Sequence, residues 1–464
     1  MAGIYIHIPF CRTKCPYCNF FSLATRKYRE EFYQALLKEI DLTRDYLGGE
    51  PVETIYFGGG TPSSLPVEWV GGILEKMRDV EAKRRSRPGV AGYEMRDLPL
   101  QEITMELNPD DVTPEFLEGL QAAGINRLSL GVQSFFDEDL QYLGRSHDAR
   151  QAERALQWIR DTRCGIRDMD PETWDEKRKA NSQKPKGKSQ KPKAKSQNIS
   201  IDLIYGIPTL TNERWKANLQ RVIDLGIPHI SAYALTVEPR TALAWMLSHQ
   251  STESPRHHGT TAPHHHGTTS PHHHTTTSPQ HHLLPVSDDQ AAEHFEILME
   301  MMEQAGYIQY EISNFCLPGF ESRHNSNYWK GVPYLGLGPS AHSYNGSSRQ
   351  WNLSNLTTYI RHLATPRRGL HCATTSGIRT TEEEQLTPTQ QYNEYVLTSL
   401  RTIWGVDIRE ISQRFGPAFE THFRHQAIRH MISGSLVEQS GIYTLTRTGK
   451  LLADGIAADL FMVE

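Results

Sequence analysis

"IYIHIPFCRTKCPYC", residues 4–18, passes from an apolar, β-rich run directly into three cysteines spaced C-x3-C-x2-C. The run reads as a strand, and the segment after the cysteines, 27–46, reads as a helix because Tyr28, Phe32, Leu36 and Ile40 fall at helical spacing. The same unit then recurs. "TIYFGGG" precedes a helix near 66–79, "EITMEL" one near 114–123, "RLSLGV" one near 137–160 and "ISIDLIYG" one near 211–225, and "HISAYAL" ends the series. Six strands alternating with helices predict an α/β fold with a parallel sheet, either open or closed part-way into a barrel. In both arrangements ligands gather beyond the C-terminal ends of the strands. The unusual residues of this chain lie just past those ends. A helix near 289–305 and "YEISNF" follow, then a polar, aromatic-rich loop to about 352. From about 388 the sequence reads as helices closing on a small β-ribbon, "SGIYTLTRTG", a helical or winged-helix-like second domain.

Whole-chain numbers exclude several classes. At 464 residues the chain has room for two or three domains, and 38% hydrophobic residues is ordinary for a globular protein. Its apolar stretches are short and broken by charge, and Met1 runs into the first strand without a basic region, apolar signal core or cleavage site, so a cytoplasmic protein is expected, with membrane contact at most transient. A net charge of -5 argues against nucleic acid as the main partner. Six cysteines in a chain of this size do not make a secreted disulfide framework. In a reducing compartment, three clustered thiols point instead to metal or catalysis.

Two low-complexity segments interrupt the pattern. "SQKPKGK" and "SQKPKAK" (182–195) repeat in tandem, and 257–274 repeats an eight-residue unit, "HHGTTAPH" then "HHGTTSPH". Neither can bury an apolar face, so both are expected to be disordered surface loops. The histidine tract reads as an expanded repeat rather than a selected metal site, and the lysine tract as a solvated run.

Thiolates are the usual ligands of iron–sulfur clusters, and a four-iron cubane normally takes four. Cys11, Cys15 and Cys18 on one tight loop would take three corners and leave one iron open to another ligand. On spacing alone, structural zinc and unrelated free thiols remain alternatives. Gly58, Gly59 and Gly60 after a strand allow close approach of backbone to a ligand, and Thr61-Pro62 fixes the exit of the turn. Glu106, Gln133, Arg145 and Asp202 each stand at or beyond a strand end and offer acceptors for an ammonium or hydroxyls and a donor for a carboxylate. Each is equally able to make a structural hydrogen bond, and Arg145 has Asp148 nearby as a partner. Cys164, Cys316 and Cys372 are scattered and carry no assigned role.

"IYIHIPFCRTKCPYC", "YFGGGTPS", "GVQSF", "GRSHDA", "IDLIYGIP" and "YEISNF" together resemble the radical S-adenosylmethionine (SAM) superfamily, in the branch that holds oxygen-independent coproporphyrinogen III oxidase and the HemW heme chaperones. The resemblance runs from residue 3 to about 345 outside the two repeats. It implies a partial (β/α)6 barrel, a [4Fe-4S] cluster on Cys11, Cys15 and Cys18, and SAM on the open iron. It implies SAM contacts at Tyr5, Tyr17, Gly59, Gly60, Thr61, Glu106, Gln133, Arg145, Asp202 and Ala234.

Within that branch the oxidases carry a further cysteine two places after the third and an extension ahead of the first strand. Here position 20 is Phe20, and the first cluster cysteine follows Met1 by ten residues. Both departures point to the chaperones. "RHNSNYW", 323–329, resembles their H-N-x-x-Y-W signature, which implies heme as a third cofactor with His324 as axial ligand. By residue type, Tyr328 and Trp329 would lie against the macrocycle and Arg323 would meet a propionate. The expected organisation is a barrel over 1–245 with an insert at about 168–197, a His/Thr/Pro-rich insert over 246–287, a heme-binding loop region over 288–380, and an α+β accessory domain over 381–464. The expected partners are heme and acceptor hemoproteins, respiratory ones among the candidates, and a homodimer stays open. The alternative is the enzyme itself, a radical decarboxylase of coproporphyrinogen III.

Overall fold

The computed structural model describes residues 1–85, 100–162, 198–249, 285–364 and 381–463. Both repeat segments, with the disorder expected of them, lie outside the described residues, as do Cys164 and Cys372.

The expected strands form as read: β1 (Ala2–Ile8), β2 (Val52–Gly59), β3 (Glu102–Leu107), β4 (Arg127–Gln133), β5 (Ile199–Tyr205) and β6 (His229–Ala234) lie side by side in that order, every pair parallel. The seven residues of β4 are all buried and β1 is nearly so, as strands covered on both faces must be. Helices Arg29–Leu42, Val67–Arg85, Pro114–Ala123 and Asn212–Asp224 supply the crossovers. "YEISNF" is a hairpin, β7 (Ile308–Glu311) and β8 (Asn314–Cys316), and β8 pairs antiparallel with β6.

Two expectations need correction. The helix expected near 137–160 is two helices, Asp137–Tyr142 and Ala149–Thr162. Gly144 breaks it: its φ is 63°, and a Cβ there would stand 2.6 Å from Pro16 Cδ in the cysteine loop. The break turns Arg145 inward. The polar segment expected as a loop to about 352 is instead ordered structure, with helix Arg323–Trp329 followed by β9 (Tyr334–Leu337), β10 (His342–Tyr344) and β11 (Ser348–Asn352). β9 adds parallel to the free edge of β1, and β10, β11 and β12 (Thr381–Gln385) continue antiparallel outward. Pairing of this kind joins residues some 330 positions apart, so no local pattern announces it.

The C-terminal helices and ribbon form as expected. Helices Pro388–Leu400, Ile408–Phe415, Pro417–Ile432 and Ala453–Leu460 enclose a second core around Tyr392, Val396, Phe423 and Leu460. They pack with a small antiparallel sheet of β13 (Val406–Asp407), β14 (Leu436–Gln439) and β15 (Ile442–Leu445). Backbone bonds from Ile312 N–H to Arg401 O (3.0 Å) and Ile403 N–H to Tyr310 O (3.1 Å) tie this unit to the β7–β8 hairpin. Among the described residues, no helix is long and apolar enough to cross a membrane.

A buried carboxylate locks the β9–β11 segment to the barrel. Glu39, on the first helix, accepts from Gly338 N–H (2.7 Å), Asn352 Nδ2 (2.6 Å) and Tyr359 OH (2.6 Å). Removing the carboxylate leaves three buried donors unpaired, and each unpaired donor costs about 1–3 kcal/mol. Glu39→Ala is therefore expected to lower the urea midpoint by an amount equivalent to about 3 kcal/mol or more, while Glu39→Gln, which keeps an acceptor, loses less.

Candidate functional site

The cysteine loop leaves β1 at Pro9 and is pinned at its base, where Leu23 N–H donates to Pro9 O (2.8 Å) and Cys11 N–H to Leu23 O (3.1 Å). Its flank is held by the glycine turn that ends β2: Gly60 N–H donates to Ile8 O (2.8 Å) and Thr61 N–H to Phe10 O (2.7 Å). No side chain fits between them. A Cβ on Gly60 would lie 2.8 Å from Phe10 O and 3.0 Å from Cys11 Sγ, and Gly59, at φ 110°, has the His7 ring 2.7 Å from the same construction.

Cys11, Cys15, Cys18, Tyr17, Gly60, Thr61 and Arg145 line one small cavity, with Asn108 and Ser146. Arg145 does not pair with Asp148. It reaches Cys15 Sγ (Nη1, 3.6 Å), Gly131 O (Nη2, 3.2 Å) and Asn108 Oδ1, while Asp148 accepts from Gln151 N–H. Its Nε is buried without a hydrogen-bond partner among the described residues. Gln133 stands next to Arg145 across Gly131, at a register shift in β4, and holds a left-handed φ of 67°.

Tyr5, Glu106 and His324 belong to a second, larger cavity of about 840 Å³ on the inner face of the sheet, a size typical of small-molecule sites. Its walls come from β1, β2, β3, β6 and β8, so the sheet curls around it. Asn19, Phe20 and Phe21, the continuation of the cysteine loop, also line it. Phe20, where a fourth cysteine is absent, exposes its ring (67%). Tyr56 OH donates to Glu106 Oε1 (2.8 Å). Burial, with Asp202 adding to it, pushes the Glu106 carboxyl up to about 8, and burial raises Asp202 to about 6. Asp202 accepts from Ser129 (3.2 Å). Ala234 ends β6, exposed, outside both linings.

His324 is the second residue of helix Arg323–Trp329, whose N-terminus is capped from β3. Glu102, fully buried, takes Arg323 N–H (3.1 Å) and His324 N–H (3.0 Å) on its two oxygens and the Ser322 hydroxyl (3.3 Å) as well. A carboxylate at a helix N-terminus satisfies free amides and meets the positive end of the dipole. The imidazole stacks on Tyr56 (5.1 Å), and its Nδ1 bonds Thr54 Oγ1 (2.9 Å). Nε2 has no hydrogen-bond partner among the described residues. Burial lowers its pKa to about 4, so the ring is neutral at pH 7. Tyr328 and Trp329 line the cavity. Arg323 does not: it is exposed and donates to Gln101. Two arginines that sequence reasoning missed, Arg349 and Arg401, line the cavity instead, together with His7 and His342.

The Radical SAM superfamily model matches residues 5–176, and the HemN C-terminal domain model matches 386–452. The protein is thus of the radical SAM class with a HemN-type C-terminal unit. The solved coproporphyrinogen III oxidase (HemN) of Escherichia coli, a radical SAM enzyme, superposes with a TM-score of 0.69 at 20% identity, covering 99% of this chain and 90% of that one, a likeness of fold. Heme chaperone HemW of Escherichia coli is 32% identical over 345 residues (73% of this chain, 69% of the relative), and that of Bacillus subtilis is 29% identical over 459 residues (98% of each). The chain belongs to the HemW family.

A pH test follows from Glu106 and Asp202. Both have folded pKa values raised above their unfolded ones, so the folded state holds protons that the unfolded state releases, and stability falls as pH rises from about 4.5 to about 8. Glu106→Gln removes its share of that slope. Thermal melts from pH 5 to pH 8 are expected to show the variant gaining stability relative to wild type as pH rises.

Proposed function

We propose that this protein is a cytoplasmic heme chaperone: it binds heme in the inner cavity with His324 as axial ligand and delivers it to acceptor hemoproteins, respiratory ones among them. The observation that carries this reading is the imidazole of His324. It is neutral, held through Nδ1 by Thr54 and by stacking on Tyr56, and its Nε2 lacks a partner among the described residues. Ligating histidines are commonly oriented in this way through the second ring nitrogen. Tyr328, Trp329 and Phe20 add aromatic surface for a planar ligand. The name borne by the relatives points the same way.

Cys11, Cys15 and Cys18 would hold a [4Fe-4S] cluster, with SAM at the iron they leave free. Three thiols on one loop beside a guanidinium suit a cluster, and the orphaned Arg145 Nε suits a carboxylate in the same cavity. Bound together, cluster and SAM supply one-electron chemistry at a sulfonium. The chain's own part is positional. Arg145 presents donors, Tyr17 closes the cavity, the Gly59–Gly60 backbone admits a close neighbour, and Glu106, when ionised, accepts from an ammonium. Gln133 and Asp202 flank these groups as further polar contacts.

Anaerobic reconstitution with iron and sulfide tests the proposal. It is followed by incubation with heme and, separately, with coproporphyrinogen III, SAM and reductant. The expected result is a Soret band that co-elutes with the protein on gel filtration, at least tenfold weaker in His324→Ala while the iron–sulfur absorbance persists, and no decarboxylated porphyrin. Cys15→Ser is expected to show the converse loss of cluster absorbance. Many turnovers of protoporphyrinogen with little heme retained would replace the chaperone by the oxidase.

A further inference from the structure

The inner cavity shares a wall with a cleft beneath the C-terminal unit, and Arg349 lines both. It stands on β11 opposite Tyr344, with its guanidinium 5.9 Å from that ring, and its Nη2 meets Glu394 of helix Pro388–Leu400 at 3.1 Å. Its Nε is buried with no hydrogen-bond partner among the described residues. Arg401, the other cavity arginine, is already committed twice, to Glu311 (3.2 Å) and Asp454 (2.6 Å), and lies over Trp329. Arg349 therefore holds the guanidinium edge with unused donor capacity, on the side of the cavity bounded by Tyr328, Trp329 and Tyr334.

We infer that Arg349 is the anchor for a carboxylate of the cavity's ligand, and that it takes this carboxylate in exchange for Glu394. A planar fork binds one carboxylate bidentately through Nε and one Nη. In the present state Glu394 occupies a single Nη and leaves Nε idle. A ligand carboxylate that engages Nε satisfies the orphan and competes with Glu394 for the rest. Because Glu394 belongs to the C-terminal unit, filling the cavity loosens one of that unit's ties to the barrel, and the ligand's acidic edge becomes the part of it that the second domain senses. The inference rests on the reading of this cavity as a heme site and adds the residue that selects a free acid over its ester.

Equilibrium titration of the reconstituted protein with heme and with heme dimethyl ester, whose carboxylates are blocked, tests it. Hydrogen bonds to charged groups set the scale: Arg349→Gln is expected to weaken heme about tenfold or more and to leave the diester unchanged. Glu394→Gln, which keeps Arg349 and removes its competitor, is expected to bind heme several-fold more tightly, again without effect on the diester. Equal affinity of Arg349→Gln and wild type for heme, equal weakening toward both ligands, or no tightening in Glu394→Gln would overturn the inference while the heme site stands. Failure of the wild type to bind either ligand would instead remove the heme reading and this inference with it.

Discussion

Two backbone hydrogen bonds, from Gly60 to Ile8 and from Thr61 to Phe10, fasten the end of β2 to the strand and loop that carry the cysteines. They require contact so close that a methyl group at Gly60 would meet the Phe10 carbonyl and the Cys11 sulfur. The rest of the site is arranged around that contact. Gly144 lets the chain turn beneath Pro16, the turn brings Arg145 to Cys15, and residues 19–21, which run between Cys18 and Ser22 of the first cavity, line the second. A site built on strand ends and their hydrogen bonds is more rigid than one built on free loops.

Much of this is written locally in the chain. Apolar runs followed by helical spacing mark every strand and crossover from β1 to β6, because a doubly covered sheet needs apolar residues on both faces. The cysteine spacing and the glycine turn are equally local. What escaped sequence reading depends on distant partners. Residues 323–329 lack an apolar stripe; Ser322 caps the Asn325 amide locally, but the first two amides of the helix are met by Glu102, more than two hundred positions earlier. Arg349 and Arg401 give no sign in sequence of facing the cavity, since β11 reaches it only through β9 and β10, and Arg401 only through the docking of the C-terminal unit. Arg323 misled by proximity: it adjoins His324 in sequence, but at the helix start it points to Gln101 on the surface.

Buried carboxylates recur as fasteners. Glu39 receives donors from Gly338, Asn352 and Tyr359, Glu102 from residues 322–324, and Glu311 from Arg401 and the neighbouring Asn314. Glu39 and Glu102 join the six-strand barrel to segments added later in the chain, and Glu311 joins the β7–β8 hairpin to the C-terminal unit. An anion buried among several donors holds its partners in one geometry, and an apolar contact of the same area would tolerate sliding.

Strand β3 carries Glu102 and Glu106 four residues apart, hence on one face of the sheet. The first grips the helix of His324 and the second faces the cavity that His324 overlooks. A seven-residue helix cannot persist by itself in water. Clamped through the amides of Arg323 and His324 to Glu102, it takes its position from a central strand. The imidazole is thereby referred to the sheet three times over, through Glu102 on β3 and through Thr54 and Tyr56 on β2.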